Sequence, residues 1–345
     1  MTVYIGVDFH PHQQTVCYCD TADGIMYHQT FHHQNRAELE AFYAQFRSEV
    51  VIGLDAGGPC HWFEAMVGGM SHKLLYGDST EIRRRARSRH KNDNRDAELL
   101  LDLLIRDEFP SLWRRSVESE TVLEQLRFRH RLVQQRTRVC NQLQSLAHRA
   151  GLPRQRVQSG VGRERLEKAQ LAEPQSTQRS HWFEMLDDMN ARIKEVELWL
   201  TKKAENDLQV RLLLTQPGVG ILTALCTVHT LGDISRFSGS RKAVAYVGLD
   251  PLENSSGDRR RCGRVSKAGS RLLRFLLGQA GQASLKGDLQ MRQFYQQLSQ
   301  RRGKSAAKVA VARKILVRSF VMLRDQIDYD EFVRRGRRSQ PVRVA

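Results

Sequence analysis

The chain has no Cys-x-x-Cys pair. Its six cysteines, Cys17, Cys19, Cys60, Cys140, Cys226 and Cys262, are scattered, which argues against a zinc ribbon or a redox dithiol. Scattered thiols in a chain of 345 residues fit a reducing compartment. No apolar stretch approaches the roughly 20 residues that span a bilayer. The N-terminus lacks the basic segment and apolar core of a secretion signal, so a cytoplasmic location is expected. Acid is also scarce: Asp plus Glu number 38 against 55 Lys plus Arg, giving net charge +17. A polyanionic partner follows, and the length sets two or three domains.

Four acids in the first hundred residues are placed tellingly. Asp8 ends the apolar run Val3-Tyr4-Ile5-Gly6-Val7, and Asp55 ends Val50-Val51-Ile52-Gly53-Leu54. Asp93 and Asp96 stand three apart in Lys91-Asn92-Asp93-Asn94-Arg95-Asp96-Ala97, at the start of a helical pattern. Carboxylates carried by two strand ends and one helix face can converge on divalent metal. Mg²⁺ takes oxygen ligands and keeps waters, so three or four carboxylates suffice. Taken singly, each acid could equally cap a helix or turn, Asp93 above all.

The element order supports convergence. Strand signals cover Val3–Asp8, Thr15–Asp20 and Ile25–Phe31, the last two joined by a turn at Thr21-Ala22-Asp23-Gly24. A helix over about 37–47, a strand over Val50–Asp55, a helix near 61–70 and a strand at 73–76 follow. This is the order of a ribonuclease-H-like α/β domain, in which the first and fourth strands lie side by side. The predicted domains are 1–115 (α/β), 116–208 (helical arm), 209–330 (mainly helical) and a flexible basic tail, 331–345. Leu123, Leu126, Phe128, Leu132, Val133, Val139, Leu143 and Leu146 supply one helical stripe. Trp182, Met185, Leu186, Met189, Ile193, Val196 and Leu200 supply a second. Together they predict an antiparallel coiled-coil arm or an ordinary helical hairpin. The turn Gln216-Pro217-Gly218-Val219-Gly220 between helices resembles a helix–hairpin–helix, whose backbone N–H groups can face a phosphate.

Two further features concern nucleic acid. Ser255 and Ser256 precede Gly257 and are followed by Arg259, Arg260, Arg261, Arg264 and Lys267. A serine needs activation to act as a nucleophile. Nearby arginines suit a scissile phosphate. Spacing alone reads the segment as a polar turn. Arg83, Arg84, Arg85, Arg87, Arg89 and Lys91 lead into Asp93; Arg127, Arg129, Arg131, Arg136 and Arg138 line the first arm helix; Arg301, Arg302, Lys304, Lys308, Arg313 and Lys314 form a third cluster. Runs so poorly compensated by acid favour phosphate contacts, and their arginine content suits structured RNA.

These residues together resemble the DEDD transposases of the insertion-sequence-110 family, bridge-RNA-guided serine recombinases that include the pilin-gene DNA invertases. Asp8, Asp55 in Leu54-Asp55-Ala56-Gly57-Gly58, and Asp93 and Asp96 fall at the family's four acids in a RuvC-like domain. Gln216–Gly220, Ala245-Tyr246-Val247-Gly248-Leu249-Asp250-Pro251, Ser255-Ser256-Gly257 and Val265-Ser266-Lys267-Ala268-Gly269 follow the order of its transposase domain. The resemblance implies recombination through a covalent phosphoserine on Ser256, with Ser255 the fallback. It implies Mg²⁺ on the four acids and a structured noncoding RNA pairing with target and donor DNA. It also implies a bacterial, nucleoid-associated enzyme working as a tetramer of paired dimers. Two departures stand out: the second acid is usually Glu, and the lysine many relatives carry after the first acid is replaced by Phe9-His10-Pro11-His12, where His10 or His12 could take over a phosphate contact.

Three other readings compete. A RuvC-type junction endonuclease would use metal-activated water and no covalent serine. A non-catalytic nucleic-acid-binding protein would need neither. An actin-like sugar kinase also begins Ile-Gly-x-Asp but needs small residues after that Asp, and Phe9-His10-Pro11 does not provide them.

Overall fold

The computed structural model describes residues 2–55, 61–70, 72–86, 92–253 and 262–338. It forms two compact units, residues 1–114 and 115–345.

In the first unit, strands β1 (Thr2–Phe9), β2 (Gln13–Asp20) and β3 (Met26–His32) precede helix α1 (Arg36–Ala44). Strand β4 (Glu49–Asp55), helix α2 (His61–Gly68), strand β5 (Lys73–Gly77), helix α3 (Ser79–Arg85) and helix α4 (Asp93–Ile105) follow. The sheet order is β3-β2-β1-β4-β5. β1 pairs antiparallel with β2 and parallel with β4, as the predicted order of strands and helices requires. Its central position leaves both faces to be covered. On one face Val3, Ile5 and Val7 are fully buried among Phe31, Leu39, Tyr43 and Phe63. On the other, Gly6 lets α4 lie directly on the strand: a Cβ at Gly6 would stand 2.3 Å from the Ala97 carbonyl oxygen and 2.5 Å from the Leu101 nitrogen. Helix α3 is an addition to the predicted elements; the Asp78 side chain caps it by accepting from the Thr80 and Glu81 N–H groups.

The second unit begins with α5 (Val117–Arg149), capped by Ser116, followed by α6 (Gly160–Glu167) and α7 (Gln175–Glu205). α5 and α7 run antiparallel, as the pairs Glu118–Lys203, Arg129–Glu197 and Arg136–Asn190 show. Phe128 and Met185, members of the predicted apolar stripes, are instead 40% and 44% exposed. Two clusters hold this helix pair. Val139, Leu143, Phe183 and Leu186 pack with Val157 and Leu166 from the connection. Val122, Leu126, Leu132, Ile193 and Leu200 instead join a large core shared with the helices that follow.

Those helices are α8 (Leu208–Leu214), α9 (Ile221–Leu231) and α10 (Ser240–Val247), a ribbon of β6 (Pro251–Glu253) and β7 (Cys262–Val265), then α11 (Arg271–Gly287), α12 (Leu289–Arg302), α13 (Lys304–Asp325) and α14 (Tyr329–Arg338). The turn between α8 and α9 needs glycine for packing. Gly218 has φ +85°, and a Cβ there would meet the Ala280 carbonyl oxygen at 2.4 Å. Residues 331–338, expected in a flexible tail, are helical instead. Asp328 accepts from the Glu331 N–H, and Glu331 pairs with Arg334 and Arg335 one turn on.

Under α14 lies a buried polar network. Arg318 and Tyr329 both donate to the Asp288 carboxylate, which also caps α12 through the Met291 N–H. Burial raises the Asp288 carboxyl, and these donors more than reverse it, leaving it below the usual carboxylate range. The resulting stabilisation is present above the unfolded carboxyl value of about 3.9 and is lost as pH falls through the lower folded value. Tyr329→Phe removes one donor and should cost about 1–3 kcal/mol. Chemical denaturation should show that loss at neutral pH, and acid unfolding of the variant should begin at higher pH.

Candidate active site

The distance from Gly6 to Asp8 along β1 is about 6–7 Å, and that from Ala97 back to Asp93 along α4 is about 6 Å. Because α4 is seated on Gly6, these matched steps bring the Asp93 and Asp8 side chains to the same point. His10 completes the group. Its Nε2 lies 3.1 Å from Asp8 Oδ2 and 3.5 Å from Asp93 Oδ1. One ligand atom from each of the three lies within 4.8 Å of the others. Asp93 is free to face inward because Asn92, not Asp93, caps α4, its side chain accepting from the Asn94 N–H at 3.0 Å. Two carboxylate oxygens and one imidazole nitrogen at this separation fit a divalent cation.

The other two predicted acids lie close by but outside this group. Asp55 ends β4; the parallel register aligns Val7 with Leu54, so Asp8 and Asp55 leave the sheet on adjoining strands. Its carboxylate accepts a hydrogen bond from the Ser79 hydroxyl at the start of α3. Asp96 lines a cavity of about 760 Å³ with Met26, Arg95, Glu98, Asp102 and Arg106. The sequence offers His10, the third member of the group, only as a phosphate contact. Its place two residues after Asp8 is the one signal the sequence carries for a role beside the acids.

Ser255, Ser256, Arg259, Arg260 and Arg261 lie outside the described residues, as do Arg87, Arg89 and Lys91. The roots of the serine segment are described. Ser266 N–H donates to the Asp250 carbonyl at 2.9 Å and Lys267 N–H to the Gly248 carbonyl at 3.1 Å. Arg274 clamps the Val247 and Gly269 carbonyls at 3.0 and 2.7 Å. Gly269 packs against α10 so closely that a Cβ would stand 2.0 Å from the Tyr246 carbonyl oxygen. Arg264 and Lys267 are exposed beside this root. Arg83, Arg84 and Arg85 form the last turn of α3, where cations favour the helix dipole. Arg84 pairs with Glu81 and Arg85 donates to the Glu108 carbonyl, while Arg83 is exposed and has no ion pair among the described residues.

A family model described as "Transposase IS116/IS110/IS902 family" matches residues 210–296, and a second, described as "Transposase" and covering the DEDD-type IS110 proteins, matches residues 5–150. The chain is 30% identical to the transposase for insertion sequence element IS1111A of Coxiella burnetii, over 90% of this chain and 86% of that protein. It is 27% identical to a "Probable family 20 transposase" of Pseudomonas aeruginosa, over 81% and 85% of the two chains. To the transposase for insertion sequence element IS1328 of Yersinia enterocolitica it is 24% identical, over 71% and 73%. No described helix is long and apolar enough to cross a membrane. The chain belongs to the IS116/IS110/IS902 family of transposases, enzymes that cut and recombine DNA.

Proposed function

We propose that this transposase cuts and rejoins DNA through a covalent phosphoserine on Ser256, with divalent-metal assistance at the amino-terminal acids. The convergence of Asp8, His10 and Asp93 carries the reading. Asp8 and Asp93 hold the cation, His10 adds a nitrogen ligand, and Asp55, oriented by Ser79, and Asp96 complete the acidic surround. When bound, the ion supplies positive charge to the phosphodiester oxygens. The Ser256 oxygen bonds to phosphorus and gives up its proton, while the bond from phosphorus to one sugar oxygen breaks and leaves a DNA hydroxyl. A hydroxyl of another strand then attacks the phosphoserine and restores Ser256. The energy of the phosphodiester is conserved throughout, so no nucleotide cofactor is consumed.

Arg83, Arg84, Arg85, Arg87 and Arg89, together with Arg259, Arg260, Arg261, Arg264 and Lys267 after the serine pair, are assigned to phosphate contacts. A structured noncoding RNA pairs with target and donor DNA and supplies sequence choice. In chain order α5 and α7 follow a RuvC-like domain and serve as a coiled-coil arm preceding the transposase domain, and paired dimers assemble into a tetramer. Mg²⁺ is the working ion; Mn²⁺, which accepts imidazole readily, is a convenient probe.

Two measurements test the reading. Incubation with DNA spanning an element end should yield a protein–DNA adduct whose nucleotide remnant maps to Ser256 by mass spectrometry; a remnant elsewhere, or none, overturns the nucleophile. Titration calorimetry should show Asp93→Asn weakening Mn²⁺ binding at least about ten-fold, roughly 1.4 kcal/mol. Unchanged binding would remove Asp93 from the metal site.

A further inference from the structure

We propose that the groove between α5 and the start of α11 binds one unpaired strand of nucleic acid, holding its phosphates on Arg131 and Arg271 and stacking a base on the Phe275–His130 pair. The groove encloses about 780 Å³, with Arg127, His130 and Arg131 from α5 and Arg115 just before it on one wall and the segment Ala268–Leu272 on the other. Its cations are not equivalent. Glu120 neutralises Arg115 at 2.9 Å and reaches Arg127 at 3.7 Å. Arg131 and Arg271 are exposed and have no ion pair among the described residues. Two uncompensated guanidinium groups facing a cavity call for an anion that spans it. The Ser270 cap leaves the first N–H groups of the 17-residue α11 beside Arg271 as further donors.

The aromatic pair at the groove's edge sets the strandedness. Phe275 lies one turn along α11 from Arg271 and is 48% exposed, so its ring is open to a stacking partner. The His130 ring, which lines the groove, stands 5.1 Å from it at an angle of 54°. Burial first, then Arg129 and Arg271, hold the His130 ring below its usual value, so at neutral pH it is an uncharged heteroaromatic rather than another cation. Paired bases are hidden inside a duplex, whereas an unpaired base presents a face that stacks on such rings in either DNA or RNA. The inference is independent of the chemistry assigned to Ser256.

The test uses the full chain and anisotropy of labelled oligothymidylate, oligouridylate and a mixed-sequence duplex. Phe275→Ala should weaken both single strands about 5- to 100-fold and leave the duplex within about two-fold. Arg131→Ala and Arg271→Ala should each lower the salt dependence of single-strand binding by about 0.7 in slope. An oligonucleotide carrying 5-iodouracil should crosslink to the α11 peptide containing Phe275. Comparison of the two single strands tells which sugar the groove prefers. Equal losses for duplex and single strand in Phe275→Ala, or no loss in any variant with an unchanged melting temperature, would overturn the proposal. Loss of the phosphoserine adduct reading would leave these results untouched.

Discussion

The Ser256→Ala chain should bind element DNA with unchanged affinity and fail to cut it, with a drop on the order of 10⁴-fold or more in strand cleavage. The size follows from the role. A covalent route divides phosphoryl exchange into two displacements and keeps the broken end on the protein, and alanine removes the oxygen proposed to form that link. Water could replace the serine oxygen only if the site were built to orient it, and the product would then be a free end that cannot be rejoined. The outcome therefore separates two enzymes that share the same acidic cluster. A RuvC-type junction endonuclease would keep cutting after the substitution, because its nucleophile is water positioned by the carboxylates. Gel analysis of cut, joined and adduct species distinguishes all three results, and retained strand exchange would transfer the role to Ser255 or another group. Arg264 and Lys267, exposed beside the rooted base of the loop, are not touched by the change, so DNA affinity should persist.

Gly6→Ala should damage the same reaction from beneath, without touching a functional group. The added carbon would fall 2.3 Å from a backbone oxygen and 2.5 Å from a backbone nitrogen of α4, neither of which can rotate away. The helix must lift from β1. Overpacking of this kind costs about 1–3 kcal/mol or more, and misplacing a reacting group by about 1 Å costs on the order of 10²-fold in rate. Asp93 rides on the first turn of that helix, so its separation from Asp8 changes with the lift. Expected readings are a lower melting temperature, Mn²⁺ affinity reduced along with cleavage, and DNA binding retained. Gly278→Ala is the matched control: a Cβ at this position on α11 would meet no neighbour within 4 Å, and the substitution should be neutral or mildly stabilising. Full activity in Gly6→Ala would mean that the seating of α4 does not set the carboxylate geometry.

Much of the amino-terminal unit is legible because its signals are local. Val3, Ile5 and Val7 alternate with smaller or polar neighbours, the run ends in Asp8, and the run 50–54 repeats the pattern before Asp55. Strand order then follows from element order, and β1 does lie between β2 and β4. The finer geometry depends on tertiary contacts that no spacing encodes. Asp93 and Asp96 do share a helix face at i and i+3, yet Asp93 meets Asp8 and His10 while Asp96 lines a separate cavity. His10 stands just past the end of β1 at Phe9, two residues beyond Asp8, with its imidazole 3.1 Å from the Asp8 carboxylate. Helix α3 escapes the pattern because its arginines hide any apolar period, although Asp78 followed by Glu81 three residues later is a helix-start signal. The β6–β7 ribbon has strands of three and four residues, too short for alternation to register. α14 reads as tail because charge pairs, not a continuous apolar stripe, support its length.

The division of α5 and α7 between two packing clusters has a consequence for how this helix pair melts. The inner half shares the large carboxy-terminal core, whereas the outer half depends on a small cluster around Leu143, Leu166 and Phe183. Amide exchange should therefore be graded along a single continuous helix, slow from Val122 to Leu132 and faster beyond Val139. The outer end should then fray and re-form as its own cooperative unit while the inner turns stay locked.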